Sequence, residues 1–204
     1  MISPHKKVSA MRKAVLAPLL LIPALGGCIN LGLGTAKTPP SLMTLTPQSA
    51  PVDGSTTSGP TGTALRVMEP ETAAKLAVLR VPVTIDAARV AYLRNAQWVE
   101  RPARLFQHLL AETLRAKGNR LVVEGDSASH GPILSGRLID FGYDAHSRAA
   151  IVRFDATRQL PDGTTQTRRF EAEIDHLDAD VAKVGPALNQ AANQVAHAVA
   201  EWMA

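Results

Sequence analysis

Ala14–Leu25 is a run of twelve apolar residues, preceded by Lys6, Lys7, Arg12 and Lys13 and followed by Gly26, Gly27 and Cys28. Basic residues, a short apolar run and small residues at its end form the pattern of a secretory signal. The run is too short to span a bilayer, which takes about 20 apolar residues, and Pro18 and Pro23 would break a membrane helix. A cut ahead of Cys28 therefore removes residues 1–27 from whatever folds. That segment holds four of the 22 basic residues and none of the 18 acidic ones, so the remainder is formally neutral. The basic balance of the whole chain belongs to export, and no basic stripe with interleaved aromatics points to nucleic acid.

Leu25-Gly26-Gly27-Cys28 resembles the bacterial lipobox, which implies diacylation of the Cys28 thiol and acylation of the new amino terminus. One acyl chain binds a bilayer only marginally, at about 0.8 kcal/mol per buried CH₂, whereas two or three hold it lastingly. Cys28 is the only cysteine, so it is read as the lipid anchor and the domain has no disulfide. Ile29, not Asp, follows it; by resemblance to enterobacterial sorting this implies the outer membrane, on its periplasmic face.

Residues 28–63 read as acylated cysteine plus flexible linker. They are rich in Gly, Pro, Ser and Thr, including Gly54-Ser55-Thr56-Thr57-Ser58-Gly59-Pro60, and bury too little apolar surface to offset their ordering entropy. Leu42–Pro47 interrupts this composition as a short edge-strand candidate. Residues 64–204 suit one domain with one core. Aromatics make up 4% of the chain, so the core is expected mainly from Leu, Val, Ile and Ala.

Within that domain short strands are expected at Leu65–Met68, Leu76–Val83 and Val90–Leu93, with Pro82 marking an edge or an ending. Leu105, Phe106, Leu109, Leu110, Thr113 and Leu114 share one helical stripe, with Pro102 in the first turn and Lys117-Gly118 as the stop. Strands follow at Leu121–Glu124 and Ile133–Tyr143. Ala150, Val152, Phe154 and Ala156 alternate with Ile151, Arg153 and Asp155, Pro161-Asp162-Gly163 turns the chain, and Phe170, Ala172 and Ile174 alternate with Arg169, Glu171 and Glu173 on the way back. From Asp180 to Met203, Val184, Leu188, Ala191, Ala192, Val195, Val199 and Trp202 lie on one helical face, with Gly185-Pro186 as its start or a kink. The expected fold is α+β: a two-layer single domain, mainly antiparallel, of five or six strands with two helices on one face.

These elements are similar to the ABC-transport auxiliary lipoproteins of the PqiC/YmbA type. The likeness runs through Leu45-Thr46-Pro47, Arg80-Val81-Pro82, Val90-Ala91-Tyr92, Trp98, Pro102, the Leu105–Leu114 helix, Phe141 and Ala200-Glu201-Trp202. The chain departs from the pattern at Met43-Thr44, where members often carry an aromatic, and at Gly185-Pro186. The resemblance implies a non-enzymatic accessory to an ABC system with a permease, an ATPase and an MCE-domain substrate-binding protein. It implies phospholipid or other lipid as cargo, and a homo-oligomer. A less favoured alternative is an outer-membrane assembly lipoprotein resembling the partner of the lipopolysaccharide translocon.

No phosphate-binding Gly-x-x-x-x-Gly-Lys-Ser/Thr loop is present, so ATP hydrolysis falls to a partner. Gly125-Asp126-Ser127 superficially resembles the nucleophile block of GDSL hydrolases, with Asp175-His176 as the late acid–base candidate; a polar turn explains it better. Asp175–Asp180 lacks the Gly and terminal Glu of a calcium loop and reads as a helix cap. His108, His130, His146 and His197 lack zinc-ligand spacing, so no metal and no cofactor is expected. Tyr92 and Trp98 are candidate contacts to a partner or lipid, with core packing as the other reading, and a groove between helix and sheet would suit acyl chains.

Overall fold

The computed structural model describes residues 41–118 and 120–204; the signal, Cys28 and the first part of the linker lie outside them. Eight strands form one sheet: β1 (Leu65–Val67), β2 (Glu71–Thr72), β3 (Arg80–Thr84), β4 (Val90–Gln97), β5 (Val122–Glu124), β6 (Ile133–Asp144), β7 (Ala149–Gln159) and β8 (Thr165–Ile174). Two helices, α1 (Pro102–Ala116) and α2 (Val181–Met203), complete an α+β single domain. The class is the expected one, with eight strands in place of five or six.

The extra strands have one cause. β6 is twelve residues long and pairs with β7 along its whole length. Its other edge is filled by three short pieces in succession: β1 at Ile133–Leu134, β2 at Arg137–Leu138 and β3 at Tyr143–Asp144, all parallel to it. β5 extends the sheet beyond β1, also in parallel, and β4 extends it beyond β3. Most of the paired length nevertheless belongs to the antiparallel β6–β7–β8 meander.

Two expectations are corrected here. Leu76–Val83 is not one strand: Ala74–Leu76 is a 3₁₀ turn and β3 starts at Arg80. Nor is β3 an edge, since it lies between β4 and β6. Pro82 is tolerated because it sits at a break in the β3–β4 register, and pairing to β6 begins only at Val83, so its missing N–H costs no ladder bond. Gly142 faces it; a Cβ there would strike the Pro82 carbonyl oxygen and lie 2.9 Å from Pro82 Cγ.

α1 starts at Pro102 and stops before Gly118, whose φ is +67°. The apolar stripe is buried as expected, and Ala103, Gln107 and Ala111 are buried with it. They turn toward the sheet, where Gln107 Nε2 donates to the Val67 carbonyl at 2.8 Å. α2 begins at Val181, with Asp180 Oδ1 accepting the Ala182 N–H at 2.7 Å. The helix begins four residues before Gly185-Pro186 and continues past them, so the pair is not its start; the proline removes one N–H donor in its second turn.

Both helices cover one face of the sheet. Between them and it runs a chain of edge-to-face rings, Trp98 to Phe141 (5.5 Å), Phe141 to Phe106 (6.2 Å) and Phe106 to Phe154 (5.3 Å). Leu, Val and Ala fill the rest, and no isoleucine among the described residues is buried.

Candidate functional site

Among the described residues no helix packs on the other face of the meander. A register shift at Ile139 inserts one residue between Leu138 and Asp140, so Leu138 and Phe141 both face the helices while Arg137 and Asp140 both face out. Across the strands this places Arg137 opposite Asp155 opposite Arg169, and beside that row Asp140 opposite Arg153 opposite Glu171. Signs alternate along and across the strands. Asp155 is bonded by Arg169 at 2.6 and 2.7 Å, Arg153 holds Asp140 and Glu171, and Lys75 reaches Asp140 at 2.6 Å. The Arg169 bond holds the Asp155 carboxyl below the usual carboxylate range, and the Arg153 bond does the same to Glu171.

A cavity of about 270 Å³ opens beside this lattice under the 85–89 turn, lined by Lys75, Asp86, Val90, Asp140, Tyr143 and Arg153. Lys75 and Arg153 are already matched by carboxylates. The lining therefore has no surplus charge for a phosphate or carboxylate ligand, and suits contact with a mixed polar protein surface.

The candidate contact residues separate. Trp98 is 1% exposed and belongs to the aromatic core, so it offers nothing to a partner. Tyr92 lies on β4, half-buried, with the Arg80 guanidinium 4.3 Å above its ring. The helix–sheet interface expected as an acyl groove is filled by the four rings.

Ser127 and His176 are not brought together. Ser127 precedes the start of β6, whereas His176 follows Ile174, which pairs with Ala150 opposite Tyr143 at the far end. The separation is roughly the length of β6, about 33 Å at strand rise, so no acyl-transfer pair forms from them. The acidic run ties the last helix to a hairpin: Asp178 bonds Arg148 at 2.7 Å and also Lys183, which lowers its pKa, while Tyr143 Oη donates to the Leu177 carbonyl at 2.9 Å. His108 Nδ1 contacts Glu124, whose other oxygen lies 2.9 Å from Arg115. Burial opposes the charge on Arg115, but bonds to Glu112 and Glu124 outweigh it and raise its pKa. Among the described residues no group of three or more His, Cys, Asp or Glu is arranged to hold a metal.

The stretch Leu42–Pro47 is tied down along α2. Met43 forms a parallel bridge with Trp98; its N–H donates to the Gln97 carbonyl at 2.7 Å and its carbonyl accepts the Val99 N–H at 2.9 Å. The Thr46 N–H donates to Asn189 Oδ1 at 2.8 Å and the Gln48 N–H to Asn193 Oδ1 at 2.7 Å. Asn193 Nδ2 donates back to the Thr46 carbonyl at 3.0 Å. Met43 and Leu45 pack against the core. Gly185, Asn189 and Asn193 are four residues apart and so form one stripe, and a Cβ on Gly185 would lie 3.3 Å from Met43 Cε. Sequence reading missed the two asparagines; the signal was polar amides at i, i+4 bordering the apolar face of the last helix.

Compared with known proteins, residues 44–200 match the model of a family described as ABC-type transport auxiliary lipoprotein component. No curated protein matches the sequence. Among solved structures, protein XCC0632 from Xanthomonas campestris, of family DUF330, is similar at 19% identity and a TM-score of 0.66, over 80% of this chain and 94% of that one. An uncharacterized protein is similar at 13% identity and a TM-score of 0.63, over 80% and 100%. These two likenesses extend to the fold.

Proposed function

Because this chain belongs to the family of ABC-type transport auxiliary lipoprotein components, we propose that it works as a non-enzymatic adaptor. In this reading it is anchored by acylated Cys28 in the outer membrane, faces the periplasm, and docks the MCE-domain protein of an ABC permease–ATPase system that moves phospholipid between membranes. The observation that carries it is the family match over nearly the whole folded domain. The site's chemistry agrees: on the open sheet face Lys75, Asp140, Arg153 and Glu171 form one ionic chain and Asp155 pairs with Arg169, the helix side is packed shut, and the hydrolase candidates stand apart. Such a module acts by contact. In this reading the adaptor is a homo-oligomer, as the family resemblance implies.

Crosslinking in intact membranes followed by purification of the lipoprotein tests this. The expected result is co-isolation of an MCE-domain protein, with the mature chain starting at an acylated Cys28 by mass spectrometry. An unmodified amino terminus elsewhere, or deletion that leaves lipid trafficking intact with no such partner, would overturn it.

A further inference from the structure

β8 is ten residues long and pairs with β7 from Thr165 to Ile174; among the described residues no strand pairs with its other edge. Every second residue of such an edge points its N–H and C=O away from the sheet. The far ends of the sheet are poorer templates, since β5 has three residues and β4 carries Asn95 at φ +56°. Charged side chains on an edge strand ordinarily turn a second strand away. Those of β8 are ordered differently: Arg168 and Arg169 precede Phe170, and Glu171 and Glu173 follow it. The sign of the edge reverses at Phe170, so the strand is complementary to itself run backwards.

We propose that β8 joins two copies of this chain, edge to edge and antiparallel, about a two-fold axis at Phe170. This rests on the adaptor being a homo-oligomer, and not on its anchor or its cargo. Residues equally far from the axis meet, and opposite residues of an antiparallel pair share a face. Arg169 of each copy therefore stands against Glu171 of the other on the open face. The charged rows run on without a break in sign: Arg137, Asp155 and Arg169 of one copy continue into Glu171, Arg153 and Asp140 of the second. Both side chains are exposed and have capacity left. Arg169 donates to Asp155 through Nε and Nη2, and Glu171 accepts from Arg153 at Oε2, which leaves Nη1 and Oε1 for the new pair. On the helix face Phe170, set against Trp202 at 5.7 Å, meets its own copy, and Arg168 meets the small Ala172. A slide of two residues, the least that keeps the faces aligned, would set Glu171 against Glu171 or Arg169 against Arg169. Repulsion in the neighbouring registers selects this one.

The test uses the full chain in membranes, from cells that express two copies with different tags, one Thr167→Cys and the other Glu173→Cys. These positions face each other across the axis, close enough for a disulfide, whereas two copies of either one lie about 20 Å apart. Oxidation is expected to join the two tags, and to give at least tenfold less dimer when either variant is expressed alone. Adding Arg169→Glu to the Thr167→Cys copy is expected to cut the joined product at least fivefold. Adding Glu171→Arg to the Glu173→Cys copy as well is expected to restore it, a rescue that a misfolded chain could not show. Monomers throughout, by amine crosslinking of the native chain, would overturn the interface and the homo-oligomer together. Oligomers by amine crosslinking, with no disulfide between the two tagged variants, would overturn β8 as the interface and leave the homo-oligomer standing. A joined product indifferent to Arg169→Glu would overturn the register set by charge.

Discussion

The two faces of the β6–β7–β8 meander share one backbone and one register yet hold the molecule together very differently. Toward the helices stand Leu138, Phe154 and Phe170, then Phe141, Val152 and Ala172; toward solvent stand the alternating charges. The apolar rows remove whole side chains from water, worth roughly 1.5–3 kcal/mol for each large one. The charged rows gain little per pair, because exposed ion pairs contribute about 0–1 kcal/mol. One face supplies stability. The other supplies a surface that is wet, neutral and patterned, which keeps an uncovered sheet from stacking indiscriminately while leaving it open to a complementary partner.

The sharpest way to break this contrast is at the centre of the aromatic chain. Phe106 touches both Phe141 and Phe154, and Phe106→Ala is expected to cost about 3–5 kcal/mol, the range for large buried aromatics. The midpoint of urea unfolding reads it directly. A loss under about 1 kcal/mol would mean that the helices do not depend on this seam.

Gly136 tests the register that both faces share. Its φ is +149°, and a Cβ there would strike the Asp155 carbonyl oxygen and lie 2.9 Å from the Phe154 ring. Gly136→Ala is therefore expected to destabilise by roughly 1–3 kcal/mol through overpacking, measured by thermal unfolding. An unchanged melting temperature would show that β6 and β7 can separate locally at no cost.

How much of this was legible in the sequence follows the same division. The helical stripe from Leu105 to Leu114, the β7–β8 alternation about Pro161-Asp162-Gly163 and the apolar face of α2 all stand out because burial imposes a period on them. β1 is legible where expected, at Leu65–Val67, but β2 and β3 are too short to show any period, and what makes them strands is the long free edge of β6. The β6 alternation is hidden because Ile139 resets its phase. In β4 (Val90–Gln97), Asn95 at φ +56° upsets the alternation within the strand, so the pattern marks only its first half. Trp98 was read as a possible contact because a sequence does not say which side of a chain is covered. Leu42–Pro47 stands out as a strand candidate, but its seating on α2 is not legible, because the asparagines that hold it lie more than 140 residues away. Met43 and Gly185 are neighbours in space that no local pattern connects, since a Cβ on Gly185 would lie 3.3 Å from Met43 Cε.

On the open face, Arg153 and Asp140 each pair with two opposite charges. Arg153→Ala frees Glu171 but leaves Asp140 held by Lys75. The expected loss is at most about 1 kcal/mol and shrinks as salt is added, since exposed pairs are screened. A loss comparable to Phe106→Ala would erase the distinction between the faces.

The smallest effect expected is in the pH dependence. Arg169 bonds the Asp155 carboxyl and lowers its folded pKa, only partly opposed by burial. A depressed folded pKa means that the unfolded chain binds the proton more readily. The resulting stability is present in full above the unfolded value, about pH 3.9, and is lost as pH falls through the folded one. Glu171, lowered by Arg153, behaves alike. Native protein should thus lose stability on going from pH 5 to below pH 3. Asp155→Asn, which cannot titrate, should be slightly less stable at pH 7 and show a shallower acid loss. Both curves come from denaturant midpoints across pH. If Asp155→Asn followed the native curve at every pH, the Asp155–Arg169 pair would hold nothing, and the order on the open face would follow from the packed face behind it.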